Sequence, residues 1–158
     1  MKRIKLDKID RKILRDLQDN GRITNVELSK SAGISAPPCL RRVRALEESG
    51  YIKGYHAELD SHALGYGISV FALIKLESQS ETEIKKFEEG CRALRRVREC
   101  HMLSGEIDFL LRIVATDWDS YQQFLTEKLT AMDNIVSVKT MPIVRSTKDM
   151  PGVPVEVD

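Results

Sequence analysis

Cysteine is scarce: Cys39, Cys91 and Cys100 are the only three in 158 residues, and no two are two residues apart. An odd count at these spacings argues against a disulfide framework, a zinc knuckle or a Cys-x-x-Cys redox motif, and a reducing cytoplasm is the simplest setting. No apolar run approaches the roughly 18 residues of a membrane helix, and the N-terminus is charged (Lys2, Arg3, Lys5, Asp7, Lys8), which predicts neither a signal peptide nor a membrane span. There is no Gly-rich phosphate loop, no Gly-x-Ser-x-Gly elbow and no His-Glu-x-x-His, and the histidines are scattered at His56, His62 and His101. The chain therefore offers no catalytic set, no metal-ligand set and no cofactor motif. Net charge is also nearly absent at +1. That balance conceals an asymmetry: residues 1–60 hold 13 Lys and Arg against 9 Asp and Glu, an excess of +4, while residues 61–158 hold 12 against 15, which is −3. The basic half is where a nucleic-acid contact would be sought.

What is present in that half is a 29-residue stretch, 24–52, built as a helix-turn-helix. Thr24 with Glu27 three residues on has capping-box spacing, Val26 and Leu28 give the first helix an apolar side, and Ala32-Gly33 ends it. Ser35 is placed to cap the second helix, Pro37 and Pro38 fall in its first turn, and Gly50 follows its end. In that helix Cys39, Val43 and Leu46 recur at the spacing of a buried stripe with Leu40 beside them, leaving Ser35, Pro38, Arg41, Arg42 and Arg44 to point outward. A face of arginines suits phosphate oxygens and guanine edges. Paired short helices also occur as plain packing units, and arginines often only solvate a face; the agreement of caps, turn glycine, apolar spacing and basic face in one window favours DNA. Ser35, Pro38, Arg41, Arg42 and Arg44, with Asn25 at the start of the preceding helix, form the candidate DNA-binding set.

The rest of the chain falls into order around this motif. Leu6, Ile9, Ile13 and Leu17 recur at helical steps before Asn20-Gly21, which predicts a helix over 7–19 and hence a three-helix domain. Residues 51–59 are of β type and predict an extended wing or linking strand. Residues 61–67, with Gly65-Tyr66-Gly67, read as a linker between a domain at 1–60 and one at 68–145. The second domain predicts a strand at 68–76 with apolar residues on both faces, a helix at 80–94, strands at 97–103 and 107–115 about a Ser104-Gly105-Glu106 turn, a helix from Asp117 lined by Trp118, Tyr121, Leu125, Leu129 and Met132, and a strand at 135–145. The order β-α-β-β-α-β is the ferredoxin-like arrangement, four antiparallel strands with both helices on one face. The fold class is α+β. Apolar residues on the uncovered face, including Phe71 and Leu73, predict a homo-oligomer. The tail at 146–158, with Pro151 and Pro154, is unassigned.

This layout resembles the bacterial and archaeal leucine-responsive/asparagine-regulator (Lrp/AsnC) family of transcription factors across nearly the whole chain. The resemblance is carried by Leu6-Asp7-Lys8-Ile9-Asp10-Arg11-Lys12-Ile13-Leu14, by Gly21-Arg22-Ile23-Thr24-Asn25-Val26-Glu27-Leu28-Ser29, by Pro38-Cys39-Leu40-Arg41-Arg42-Val43-Arg44, and by residues 99–111. It points to the leucine-responsive branch in particular. It implies a cytoplasmic regulator of double-stranded DNA, dimers formed through the C-terminal module, assembly of dimers into rings up to the octamer, and an amino-acid effector, leucine favoured, bound between dimers. Glu106 stands where that branch often has Asp, which leaves effector identity open. Sirohaem decarboxylases share the overall architecture and are the enzymatic alternative; the arginine face speaks for DNA instead.

Glu106 and Asp108 lie two residues apart at a turn, a spacing equally compatible with paired catalysis, cation binding or simple solvation. The family resemblance implies that this turn approaches the effector. Gly105 then allows close backbone approach, Asp108 accepts the α-ammonium, Met102 meets an apolar side chain, and Glu106 and Thr140 complete the candidate effector set.

Overall fold

Ile13, Leu28, Cys39 and Leu46, none more than 2% exposed, centre the amino-terminal unit of the chain, and each of three helices supplies at least one of them. The structure, a computed structural model, describes residues 5–157; Lys2 and Arg3 of the charged N-terminus lie outside the described residues. Helix α1 (Lys8–Asp19) begins in a reciprocal capping box, with the Asp10 N–H donating to Asp7 Oδ1 at 2.8 Å and the Asp7 N–H to Asp10 Oδ2 at 3.0 Å. Helix α2 (Asn25–Ala32) has the box predicted at Thr24 and Glu27. Gly33, at φ 72°, reverses the chain after it: the Ile34 N–H reaches back to Ser29 O and the Gly33 N–H to Lys30 O. Glycine takes that left-handed conformation at no steric cost, which explains its place at the turn. Helix α3 (Ala36–Glu48) follows directly.

Two expectations for α3 change. Ser35 occupies the N-cap position, yet its hydroxyl makes no cap hydrogen bond. The reason is chemical: the N–H groups an N-cap serves are those of the second and third helical residues, here Pro37 and Pro38, which have none. Leu40, read beside the buried stripe, is 40% exposed.

After α3, no strand forms among the described residues 51–60. The β-type residues there have no ladder partner among the described residues. Residues 61–65 then make a helical turn, with the Ala63 N–H on Asp60 Oδ1 at 3.0 Å and the Tyr66 N–H on Ser61 O at 2.8 Å. The chain divides into two compact units between Glu58 and Leu59, and the residues from Lys148 onward rejoin the first. The tail is held there by a reciprocal amide pair: Gln18 Nε2 donates to Val153 O at 2.8 Å and the Val153 N–H to Gln18 Oε1 at 3.2 Å.

The second unit contains β1 (Ile68–Leu76), α4 (Glu81–Ala93), β2 (Val97–Met102), β3 (Phe109–Ala115), α5 (Trp118–Phe124) and β4 (Ile135–Pro142), with sheet order β2-β3-β1-β4 and every pairing antiparallel. This is the ferredoxin-like order. Val70, Ala72, Ile74 and Leu76 from β1 and Phe109, Leu111, Ile113 and Ala115 from β3 pack with Phe87, Cys91, Tyr121, Phe124 and Leu129 from the helical side. Phe71, Leu73, Leu110 and Val114 alternate with these on the opposite face of β1 and β3. The last helix differs from the regular one predicted: α5 gives way to a π-helical turn, Leu125–Leu129, where the Thr130 N–H and hydroxyl both bond Leu125 O and widen the backbone. Trp118, expected on the inner side, is half exposed at the start of α5 and meets Tyr121 edge-on.

Candidate DNA-binding face and effector turn

The exposed side of α3 is not the set of residues that spacing alone assigned to it. Arg41 and Arg44 are exposed, as are Ser35, Pro37 and Leu40. Arg42 turns back onto α1: its Nη1 lies 2.7 Å from Asp7 Oδ2 and 2.6 Å from Asp10 Oδ1. The carboxylate oxygens left over from the α1 capping box are thus the ones Arg42 occupies, so one guanidinium pairs with both acids and ties the recognition helix to the first helix. Asp7 and Asp10 escaped the sequence reading; their three-residue spacing just before an apolar periodic run was the available signal. The Asn25 side-chain amide donates to Ala36 O at 2.9 Å, bracing α2 against the start of α3. Pro38 is half-buried. The first helical turn of α3 therefore presents apolar surface with few free N–H donors, and the positive charge sits one turn later at Arg41 and Arg44.

Removing Arg42 should consequently read out as lost stability. Exposed ion pairs are worth up to about 1 kcal/mol and broken buried ones cost about 3–5; with Arg42 one-third exposed and Asp10 9% exposed, Arg42→Ala is expected to cost the unit about 2 kcal/mol in urea or thermal melts. Asp7 adds a pH signature. The N–H of Asp10, and after it the Arg42 guanidinium, hold the Asp7 carboxyl below its ordinary 3.8. A depressed folded value means that this stabilisation is complete at neutral pH and disappears as pH falls below about 4. Arg42→Ala should weaken that acid loss.

In the second unit, the residues between β2 and β3 form the candidate effector turn. Its base is closed by the Leu103 N–H on Asp108 O at 2.8 Å. Met102, Ser104, Gly105 and Glu106 are exposed, and Gly105 has φ 140° with open space where a Cβ would stand. The turn is therefore an accessible stretch of backbone that a small molecule can approach closely.

Two of the residues assigned to it have side chains engaged within the fold. Asp108 is buried and both its oxygens are taken: Oδ2 accepts from the Leu76 N–H and Oδ1 from Gln79 Nε2, each at 2.7 Å. It joins the end of β1 to the start of β3 and spends both oxygens on partners within the fold. Thr140 lies on an edge strand, not a central one, in register with Ala72 and through it with Leu111. Its hydroxyl is engaged with that of Tyr121 at 2.6 Å. Among the described residues there is no group of three or more His, Cys, Asp or Glu side chains placed to hold a metal, and no helix is long and apolar enough to cross a membrane.

A helix-turn-helix with a cationic helix face, followed by a ferredoxin-like unit bearing an open turn, defines a DNA-binding transcription regulator with a ligand-sensing domain. Residues 6–53 match the family model described as winged helix-turn-helix DNA-binding, and residues 69–153 match the Lrp/AsnC ligand binding domain. The leucine-responsive regulatory protein of Rhizobium meliloti is 53% identical over 147 residues, 93% of this chain and 94% of that one. Its namesake in Escherichia coli K12 is 40% identical over 90% of this chain and 87% of its own. Among solved structures, a transcriptional regulator from Neisseria meningitidis in complex with L-Met superposes with a TM-score of 0.90 at 32% identity, covering 95% and 97% of the two chains. An AsnC family regulator from Agrobacterium tumefaciens gives 0.88 at 32% identity, covering 94% and 97%. The chain belongs to the Lrp/AsnC family of transcription regulators. With that membership the tetrapyrrole-decarboxylase alternative is set aside, since the family consists of regulators and not enzymes.

Proposed function

We propose that this protein controls transcription in the cytoplasm by binding operator DNA through α3, with Arg41 and Arg44 as the leading cationic contacts, and that an amino acid bound at the turn between β2 and β3 modulates this binding. The observation that carries the reading is the exposure of both arginines on the second helix of a helix-turn-helix whose first helix is held by a capping box and whose turn is made by Gly33. Ser35, whose hydroxyl is not used as a cap, is a further candidate for phosphate or base contact.

The effector is an apolar amino acid, with leucine first: the relatives of 53% and 40% identity are leucine-responsive regulators. Methionine stands second, because the Neisseria regulator was solved with it. Gly105 admits the ligand to the backbone, Met102 offers apolar contact, and Glu106 replaces Asp108 as the carboxylate available to an α-ammonium. The site is completed between dimers, the turn being open on this chain. The dimers form over the sheet face of Phe71, Leu73, Leu110 and Val114, which no helix covers, and they assemble further, up to the octamer.

Differential scanning fluorimetry of the full chain against the twenty amino acids tests the effector assignment. A ligand that binds only the folded protein raises Tm with concentration, by the equivalent of about 2.7 kcal/mol at a hundredfold excess over Kd. Leucine is expected to give the largest rise and to shift the sedimentation profile with it. A flat response to leucine and methionine alike would sink the assignment.

A further inference from the structure

Leu40 and Pro37 form an exposed apolar step on the recognition helix that nothing within the described unit covers. Leu40 is 40% exposed and Pro37 is also exposed. They lie three residues apart on α3, with Arg41 beside Leu40 and Arg44 one turn on, so the four residues share one face of the helix. The apolar step is at the amino-terminal end, the part of a recognition helix that reaches base edges when the helix enters the major groove. That end is also poor in hydrogen-bond donors, because Pro37 and Pro38 carry no N–H and the Cys39 N–H is spent on Ser35 O at 3.2 Å. A helix start of this kind is ill suited to seizing phosphate by its N–H groups, in contrast to the usual anion-binding helix terminus. Of the groups in the major groove, the thymine 5-methyl is the apolar one.

From this we infer that Leu40, with Pro37 beside it, reads thymine methyl groups in the major groove, so that each half-site carries at least one thymine under the first turn of α3. The inference rests on the DNA-binding reading above and adds a base class to it. Arg41 and Arg44 supply the charge complementarity that seats the helix; the methyl contact supplies discrimination at Leu40, whose side chain has no donor. Leu40 is a specificity residue in this scheme.

The test uses the full-length protein and duplexes selected by it from a random double-stranded pool. In a selected duplex, thymines are replaced one at a time by deoxyuridine, which removes only the methyl group. Burying one methyl is worth roughly a fourfold change in affinity, so one or two replacements per half-site are expected to weaken binding about 3- to 10-fold. Leu40→Ala should weaken binding to the thymine duplex by a similar factor. It should bind the deoxyuridine duplex no worse than the parent does, because the two changes delete the same contact. Additive losses, or affinities indifferent to every thymine-to-deoxyuridine change, would overturn the inference even though the protein binds DNA. Failure to select any duplex would instead remove the DNA-binding reading itself. Because the deoxyuridine series is measured on the parent protein, the result does not depend on how the variant folds.

Discussion

The variant with Arg41→Ala and Arg44→Ala is expected to bind a selected or natural promoter duplex at least about 30-fold more weakly than the parent, with a log–log salt slope flatter by about two units for each bound subunit. Each arginine that neutralises a phosphate releases counterions and contributes roughly 0.9 to that slope, and each contact is worth on the order of 1–3 kcal/mol. Both side chains are exposed, so neither substitution removes packing and the melting temperature should stay near the parent's. Arg42→Ala is the internal control. Its guanidinium is held by Asp7 and Asp10 at 2.7 and 2.6 Å, and reaching a phosphate would mean abandoning two carboxylates. The control should therefore lose stability while keeping the parent's salt slope. Fluorescence anisotropy at several salt concentrations measures all three proteins; a double variant with parental affinity would remove α3 as the DNA-binding element, and a slope change in Arg42→Ala would return that residue to the contact set.

Asp108→Ala is expected to destabilise the C-terminal unit by about 3 kcal/mol, since a hydrogen bond to a charged group contributes on the order of 1.5–3 kcal/mol and two are lost. The Leu76 N–H and the Gln79 amide lose their acceptor, and at least the first is left buried without one. For a unit of this size that loss corresponds to a fall in Tm of roughly 10–20 °C. Asp108→Asn should recover most of it: its amide oxygen can accept from Leu76, and Gln79 can turn its own oxygen toward the new NH₂ group. If Asp108 braces β1 to β3 in this way, the Asn variant also keeps its response to leucine, whereas a carboxylate in contact with the ligand's ammonium would lose that response at unchanged Tm. Thermal melts with and without leucine distinguish the two roles, and a leucine-blind, stable Asn variant would restore Asp108 as a ligand contact.

These two cases show how the local pattern and the tertiary structure divided the information. Element type and order were legible in the chain because each depends on neighbours a few residues away. The Thr24–Glu27 box, the Gly33 reversal, the Asp117 cap and the two-faced alternation of β1 are of this kind. So was the presence of an arginine-bearing helix after a turn, and with it the class of protein.

The partner of a particular side chain was not legible, because it lies far along the chain. Arg42 and Asp10 are separated by 32 residues, as are Asp108 and Leu76, and Gln18 and Val153 by 135. Helical spacing distinguishes an inward face from an outward one, yet a long cation near the boundary can turn either way, and packing of α3 on α1 decided that Arg42 turns inward and Leu40 outward. Residues 51–60 illustrate the converse: their β-type composition is a preference that becomes a strand only when a second strand is available to pair with, and among the described residues none is. What the sequence by itself determined was thus the local grammar of caps, turns and periods, which follows from backbone chemistry over three or four residues. Which charges remain free for DNA, and which carboxylate is spent inside the fold, only the tertiary structure decided, because hydrogen-bond satisfaction of a buried or half-buried group depends on whatever the fold brings beside it.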